Sequence, residues 1–224
     1  MIFYRLTTDI GKRKRFAYGI SFGDYPSKEI YCSSCGRKWN KNMVLDEDLT
    51  HTIVFSHSHF PDISEYELQK LVYIKVKDIF TEEQIKGYHL SDNIYIRSQR
   101  DLSLEKGKEL CRKGFKVKDI AIDPPFYYRF FHDGYAELDE EKSKIHLLEE
   151  CNICSYKKYV SEGRSYLDTS VTPPFIKESS WDGSDFFKVI EMSAVIFCTE
   201  RVYEIYKKYK LTGLLFTEVA CSKG

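Results

Sequence analysis

The 224-residue sequence predicts an α+β fold, with a zinc-ribbon-like four-cysteine site joined to a mixed β-sheet, a few helices and a compact α/β unit at the C-terminal end. Three observations predict it. Two Cys-x-x-Cys pairs, Cys32/Cys35 and Cys151/Cys154, share one local phrase: a small residue follows (Gly36, Ser155), a lysine stands three places on (Lys38, Lys157), and an aromatic comes next or one later (Trp39, Tyr159). The chain carries 17 Tyr and 15 Phe, a composition that favours strands. Helical periodicity shows only in a few short stretches.

In chain order, Met1 to Leu6 reads as a strand and lacks the charged and apolar regions of an export signal, so cytoplasmic residence is the expectation. The first cysteine pair follows, in a turn where Gly36 supplies positive-φ freedom. Residues 36–150 then form an α/β segment inserted between the two pairs. A metal joining them staples a region over 1–165, and a second α+β unit covers 166–224. Inside the insert, Ser64 and Glu67 make a capping box ahead of Leu68, Leu71, Val72, Val76 and Phe80, which predicts a helix. Thr81 and Gln84 repeat the box for a second short helix, and Leu104 to Lys113 with Gly114 predicts a third. Strands are expected at Thr52–Phe55, Asn93–Ile96 and Phe115–Lys118. Phe126–Phe131 turns through Asp133-Gly134 as a hairpin into Tyr135–Leu138. Near the end, Ala194–Phe197 is a buried strand, Thr199 caps a helix from Glu200 to Tyr209, and Thr212-Gly213-Leu214-Leu215-Phe216 turns into a last strand. No internal repeat is evident beyond the two cysteine phrases.

The chemistry of the cysteines is specific. Cys32, Cys35, Cys151 and Cys154 supply four soft ligands, the number that a closed tetrahedral Zn²⁺ site takes. A redox Cys-x-x-Cys wants its first thiol at a helix N-terminus, whereas both pairs here run into strand-prone residues. Seven cysteines, an odd number, argue against a disulfide framework. Cys111, Cys198 and Cys221 stand alone beside apolar residues and read as small buried hydrophobes. Arg37, Lys38, Lys157 and Lys158 are placed to offset the thiolate charge, or to touch nucleic acid as many zinc ribbons do. Lys+Arg 34 against Asp+Glu 34 disfavours nucleic acid, which normally selects a basic excess. No apolar run is long enough to span a membrane. His51, His57 and His59 form the one histidine cluster and read as a polar turn before Pro61. Asp46-Glu47-Asp48 lacks the later ligands of a calcium loop. No glycine-rich phosphate loop and no nucleophile motif is present, so nothing argues for an enzyme.

Taken with Phe3-Tyr4-Arg5-Leu6, Tyr31-Cys32-Ser33-Ser34-Cys35-Gly36 before Trp39, Asp182-Gly183-Ser184-Asp185-Phe186-Phe187, Ile196 to Arg201 and Leu211 to Phe216, these motifs resemble the bacterial double-CxxCG proteins, immunity proteins of polymorphic toxin systems. The likeness covers both ends of the chain and leaves the middle unmatched. Ser155 stands where the family has its second glycine. The resemblance implies a non-catalytic protein that holds Zn²⁺ and neutralises a cognate protein toxin. An aromatic face around Phe126 to Tyr135, with Glu137, Asp139, Glu140 and Glu141, would steer a basic toxin to encounter.

Overall fold

The computed structural model describes residues 1–9, 19–21, 27–42, 52–55, 60–66, 69–97, 108, 127–161, 174–192 and 195–223. Along the chain these form β1 (Phe3–Thr8), β2 (Gly19–Ser21), β3 (Ser27–Tyr31), β4 (Lys38–Asn42), β5 (Thr52–Phe55), β6 (Ile63–Tyr66), β7 (Gln69–Tyr73), α1 (Ile74–Glu82) and β8 (Tyr88–Arg97). There follow β9 (Tyr127–His132), β10 (Gly134–Leu138), β11 (Ile145–Glu150), β12 (Lys157–Ser161), β13 (Phe175–Lys177), β14 (Phe186–Val189), β15 (Ile196–Thr199), α2 (Glu200–Lys208) and β16 (Leu214–Ser222). The class is α+β, as expected. The sheets close into two barrels, ordered β1-β15-β14-β10-β13-β16 and β9-β7-β6-β2-β5-β8, with β3–β4 and β11–β12 as separate two-stranded hairpins. The C-terminal unit expected from 166 onward therefore shares its sheet with β1 and β10.

The two barrel orders are one order written twice. Replacing β1 by β9, β10 by β2, β13 by β5, β14 by β6, β15 by β7 and β16 by β8 converts the first into the second. The orientations agree as well: β10–β14 and β13–β16 are parallel, and so are β2–β6 and β5–β8. Each half of the chain thus runs strand, strand, cysteine hairpin, three strands, helix, strand. Each barrel borrows its remaining strand, β1 or β9, from the other half. The expectation of no repeat beyond the cysteine phrases is corrected: the whole fold is a tandem duplication with exchanged first strands.

Local detail follows the same rule. The helices are nine residues each and bury Val76 and Ile79 in one copy, Val202 and Ile205 in the other. Each stops at a left-handed residue, Gln84 (φ 51°) or Lys210 (φ 50°), after which Ile85 or Leu211 donates its N–H back to the carbonyl of Phe80 or Tyr206. At the junction between halves, Asp185 Oδ2 accepts the Lys86 N–H at 2.9 Å, and Asp62 Oδ2 accepts the Thr212 N–H at 2.8 Å. Gly87 and Gly213 accept from the N–H groups of Asp133 and Asp9, both at 2.9 Å. One apolar cluster, with Leu6, Ile63, Val72, Phe80, Phe130, Phe186 and Leu214, draws on both barrels and joins them. A second, with Phe3, Ile176, Phe187 and Phe197, fills the β1-containing barrel.

Three expected elements differ. The helix from Ser64 is instead the β6–β7 hairpin, with Ile63 opposite Val72 and Ser64 opposite Leu71. Ser64 is fully buried and does not cap, and helix begins only at Ile74, so Val76 and Phe80 keep their expected buried roles. Pairing of β7 with both β6 and β9 outweighs the local capping box. No second helix starts at Thr81; its hydroxyl donates to the Lys77 carbonyl within the last turn of α1. Asp133-Gly134 is not a hairpin turn. β9 pairs with β7 and β8, β10 with β13 and β14, and the chain crosses here between barrels. Gly134 is required by proximity, since a Cβ there would lie 2.2 Å from the Phe186 carbonyl oxygen. The strands at Thr52–Phe55 and Asn93–Ile96 are present, the latter inside β8. Thr199 does occupy the cap position of α2, yet its hydroxyl bonds Asp185 Oδ1 at 3.1 Å and not the helix.

Candidate metal centre

Each cysteine pair occupies the knuckle of a hairpin, and the flanking strands explain the shared sequence phrase. Tyr31 pairs with Lys38 across β3–β4, and Glu150 pairs with Lys157 across β11–β12, so both hairpins close at the same register. Inside the knuckles the Cys32 N–H donates to the Arg37 carbonyl and the Cys151 N–H to the Tyr156 carbonyl, each at 2.9 Å. Gly36 (φ 70°) and Ser155 (φ 55°) take the same left-handed conformation. Serine therefore keeps the turn that glycine makes, at the steric cost of a Cβ in that region. Ser155→Gly is expected to raise stability by about 1 kcal/mol without changing metal content, read by chemical denaturation beside metal analysis.

The four sulfurs lie within 4.8 Å of one another. Cys32 Sγ is 3.6 Å from Cys151 Sγ, and Cys35 Sγ is 3.7 Å from Cys154 Sγ. A tetrahedral ion with metal–sulfur bonds of about 2.3 Å sets neighbouring sulfurs about 3.8 Å apart, so the donor set fits a metal. Each cysteine meets its own counterpart, 119 positions away, so the sulfur cluster is built from both halves equally. Arg37 and Tyr156 are also counterparts, and the guanidinium lies over the ring at 3.7 Å.

Cys32 and Cys151 are buried, Cys35 is exposed and Cys154 half-buried. Backbone N–H groups of Cys35 and Ser34 hold the Cys32 thiol below its usual range. Those of Cys154 and Ile153 bring Cys151 down to about 6. Cys154 is pushed up to about 12, by desolvation first and then by the other sulfurs. Four thiolates this close repel one another, and a cation held between them would supply the compensating charge.

Around the centre, the basic residues are engaged. Lys38 meets Glu29 at 3.4 Å, Lys157 meets Glu150 at 3.3 Å and Lys158 meets Glu149 at 3.7 Å. Cys198 is fully buried, as expected, and desolvation pushes its thiol up; Cys221, expected to be buried as well, is only half-buried and donates to the Met1 carbonyl at 3.1 Å. Much of the expected aromatic face goes to the core: Tyr127 and Phe130 are buried. Glu137, Asp139 and Glu140 instead line a cleft with Tyr135. His51, His57, His59, Asp46–Asp48, Cys111, Phe126, the strand predicted at Phe115–Lys118 and, apart from Lys108, the helix predicted from Leu104 to Lys113 with Gly114 lie outside the described residues.

The sequence reasoning missed the carboxylates Asp62 and Asp185 at the junction of the halves. A faint signal was present: Tyr4, Arg5 and Asp9 recur as Tyr128, Arg129 and Asp133, and Val76, Ile79 and Gly87 recur as Val202, Ile205 and Gly213. No helix among the described residues is long and apolar enough to cross a membrane. Against known proteins, no family model matches the chain and no curated protein matches it.

Proposed function

We propose that this chain is an immunity protein that binds and neutralises a cognate bacterial toxin, with a structural Zn²⁺ held by Cys32, Cys35, Cys151 and Cys154. The observation that carries the reading is the four-sulfur cluster joining two duplicated halves. Four protein ligands leave no open position for substrate or water, which is the arrangement of a structural rather than a catalytic ion. Zinc is the metal that tetrahedral sulfur donors favour without redox chemistry. The ion ties hairpins from opposite halves, and a rigid scaffold loses little freedom on binding a partner. The sequence likeness to double-CxxCG immunity proteins supplies the class of partner. Pairing of Lys38, Lys157 and Lys158 with glutamates favours a protein partner over the zinc-ribbon nucleic-acid alternative, because these lysines are already engaged.

The test is co-expression with the neighbouring toxin-like reading frame. Restored growth together with a co-purifying complex is the expected result. A toxin that still kills, with no complex formed, would remove the reading.

A further inference from the structure

We propose that the cleft between β10, β12 and the short helical turn Ile190–Met192 receives the guanidinium of an arginine side chain presented by a protein partner. This rests on the toxin-binding reading and names the chemistry of one contact. The cleft holds about 490 Å³, within the range of ligand sites. Two buried oxygens on its wall, Glu191 Oε2 and Ser222 Oγ, have no hydrogen-bond partner, and Ser222 is only 3% exposed. The Ser222 hydroxyl is directed at the Asp139 carboxyl and helps to lower it, which leaves the serine oxygen itself still without a donor. Buried acceptors without donors are costly, and an incoming N–H group would satisfy them.

Charge points the same way. Glu137, Asp139, Glu140 and Glu191 line the cleft against Lys157 and Lys177. Both lysines are already paired, with Glu150 at 3.3 Å and Glu137 at 3.8 Å. Burial raises the Glu191 carboxyl, more than the backbone N–H groups of Glu191 and Leu138 lower it, and Glu137 and Glu140 add to the rise, so a cation there is rewarded. A bare metal ion is not the fit: among the described residues the cysteines are the one group of metal-ligand spacing. The acceptors are spread over a wall that also carries the rings of Tyr135 and Tyr159. A planar, weakly hydrated group with five donors suits that wall better than a compact ammonium. The rim is apolar. Ile190 is 47% exposed, and exposed Leu147 sits opposite Tyr159 on the β11–β12 ladder. Such a rim meets a protein surface, with the cationic side chain reaching inward.

Amide NMR titration of the full, metal-loaded chain with N-acetyl-arginine amide tests this directly. Saturable shifts around Tyr135, Tyr159 and Glu191 are expected at millimolar probe, absent with the neutral N-acetyl-citrulline amide and weaker with N-acetyl-lysine amide. Glu191→Gln is expected to weaken the arginine probe at least five-fold while melting and metal content stay unchanged. No saturable shift, equal shifts with citrulline or lysine, or an unaffected variant would overturn the proposal. In the co-expression assay, full rescue by Glu191→Gln with undiminished toxin affinity would also overturn it and leave the neutraliser reading standing. Failure of the unaltered chain to rescue removes the neutraliser reading, whereas the titration then still decides whether the cleft takes guanidinium.

Discussion

Replacing Cys32 with serine is expected to abolish stoichiometric metal binding and to lower the melting temperature by roughly 6–12 °C, the equivalent of about 3 kcal/mol for a chain of this size. Cys32 is 4% exposed and its sulfur lies 3.6 Å from that of Cys151, so neither water nor a neighbouring residue replaces it easily. Zinc contributes about 10–16 kcal/mol to the folding of peptides that depend on it entirely. The smaller figure follows from the architecture, because the two apolar clusters, one shared by the barrels and one inside the β1-containing barrel, do not include the hairpins' knuckles, and an ion would tie only those. β11 is exposed from His146 to Glu150, so the knuckle end of its hairpin has little else to hold it. Cys35→Ser, at the exposed corner of the cluster, is expected to lose less. Unchanged melting with full metal content in Cys32→Ser would show that the four cysteines do not share an ion.

Gly213→Ala is expected to cost about 3 kcal/mol or more, measured by chemical denaturation. Two effects combine. Its φ of +103° is strained for any L side chain, and a Cβ would lie 1.8 Å from the Ile63 carbonyl oxygen, a backbone atom that cannot move aside cheaply. Gly87, its counterpart, has φ +82° and the same problem with the Phe186 oxygen at 2.2 Å, so Gly87→Ala is expected to be similarly damaging. Gly183 separates the two contributions: φ is +86° but nothing lies within 4 Å. Gly183→Ala should therefore cost only about 1 kcal/mol. Equal costs at Gly213 and Gly183 would mean that the close approach between halves is not as described.

Legibility in the sequence tracks how local each constraint is. The cysteine phrase was readable because a knuckle, its left-handed residue and its closing cross-strand pair all lie within a few positions. Tyr31/Lys38 and Glu150/Lys157 close the two hairpins in the same register. The duplication around it was hidden because core positions specify volume and apolarity more than identity. Phe3 and Leu6 become Tyr127 and Phe130, equally buried, and the likeness disappears by eye. Ser64 misled for the opposite reason: a strong local helix signal sits in β6, which is held between β2 and β7, and β7 pairs in turn with β9 from much later in the chain. Asp133-Gly134 misled likewise, since its glycine answers to Phe186 and not to a turn.

The central claim is one ion held by four sulfurs where the duplicated halves meet. X-ray absorption at the zinc edge, with elemental analysis of the purified, reduced protein, tests it most directly. The account predicts one zinc per chain with four sulfur neighbours at about 2.3 Å. A metal-free protein, two ions per chain, or a shell mixing sulfur with nitrogen or oxygen would contradict it.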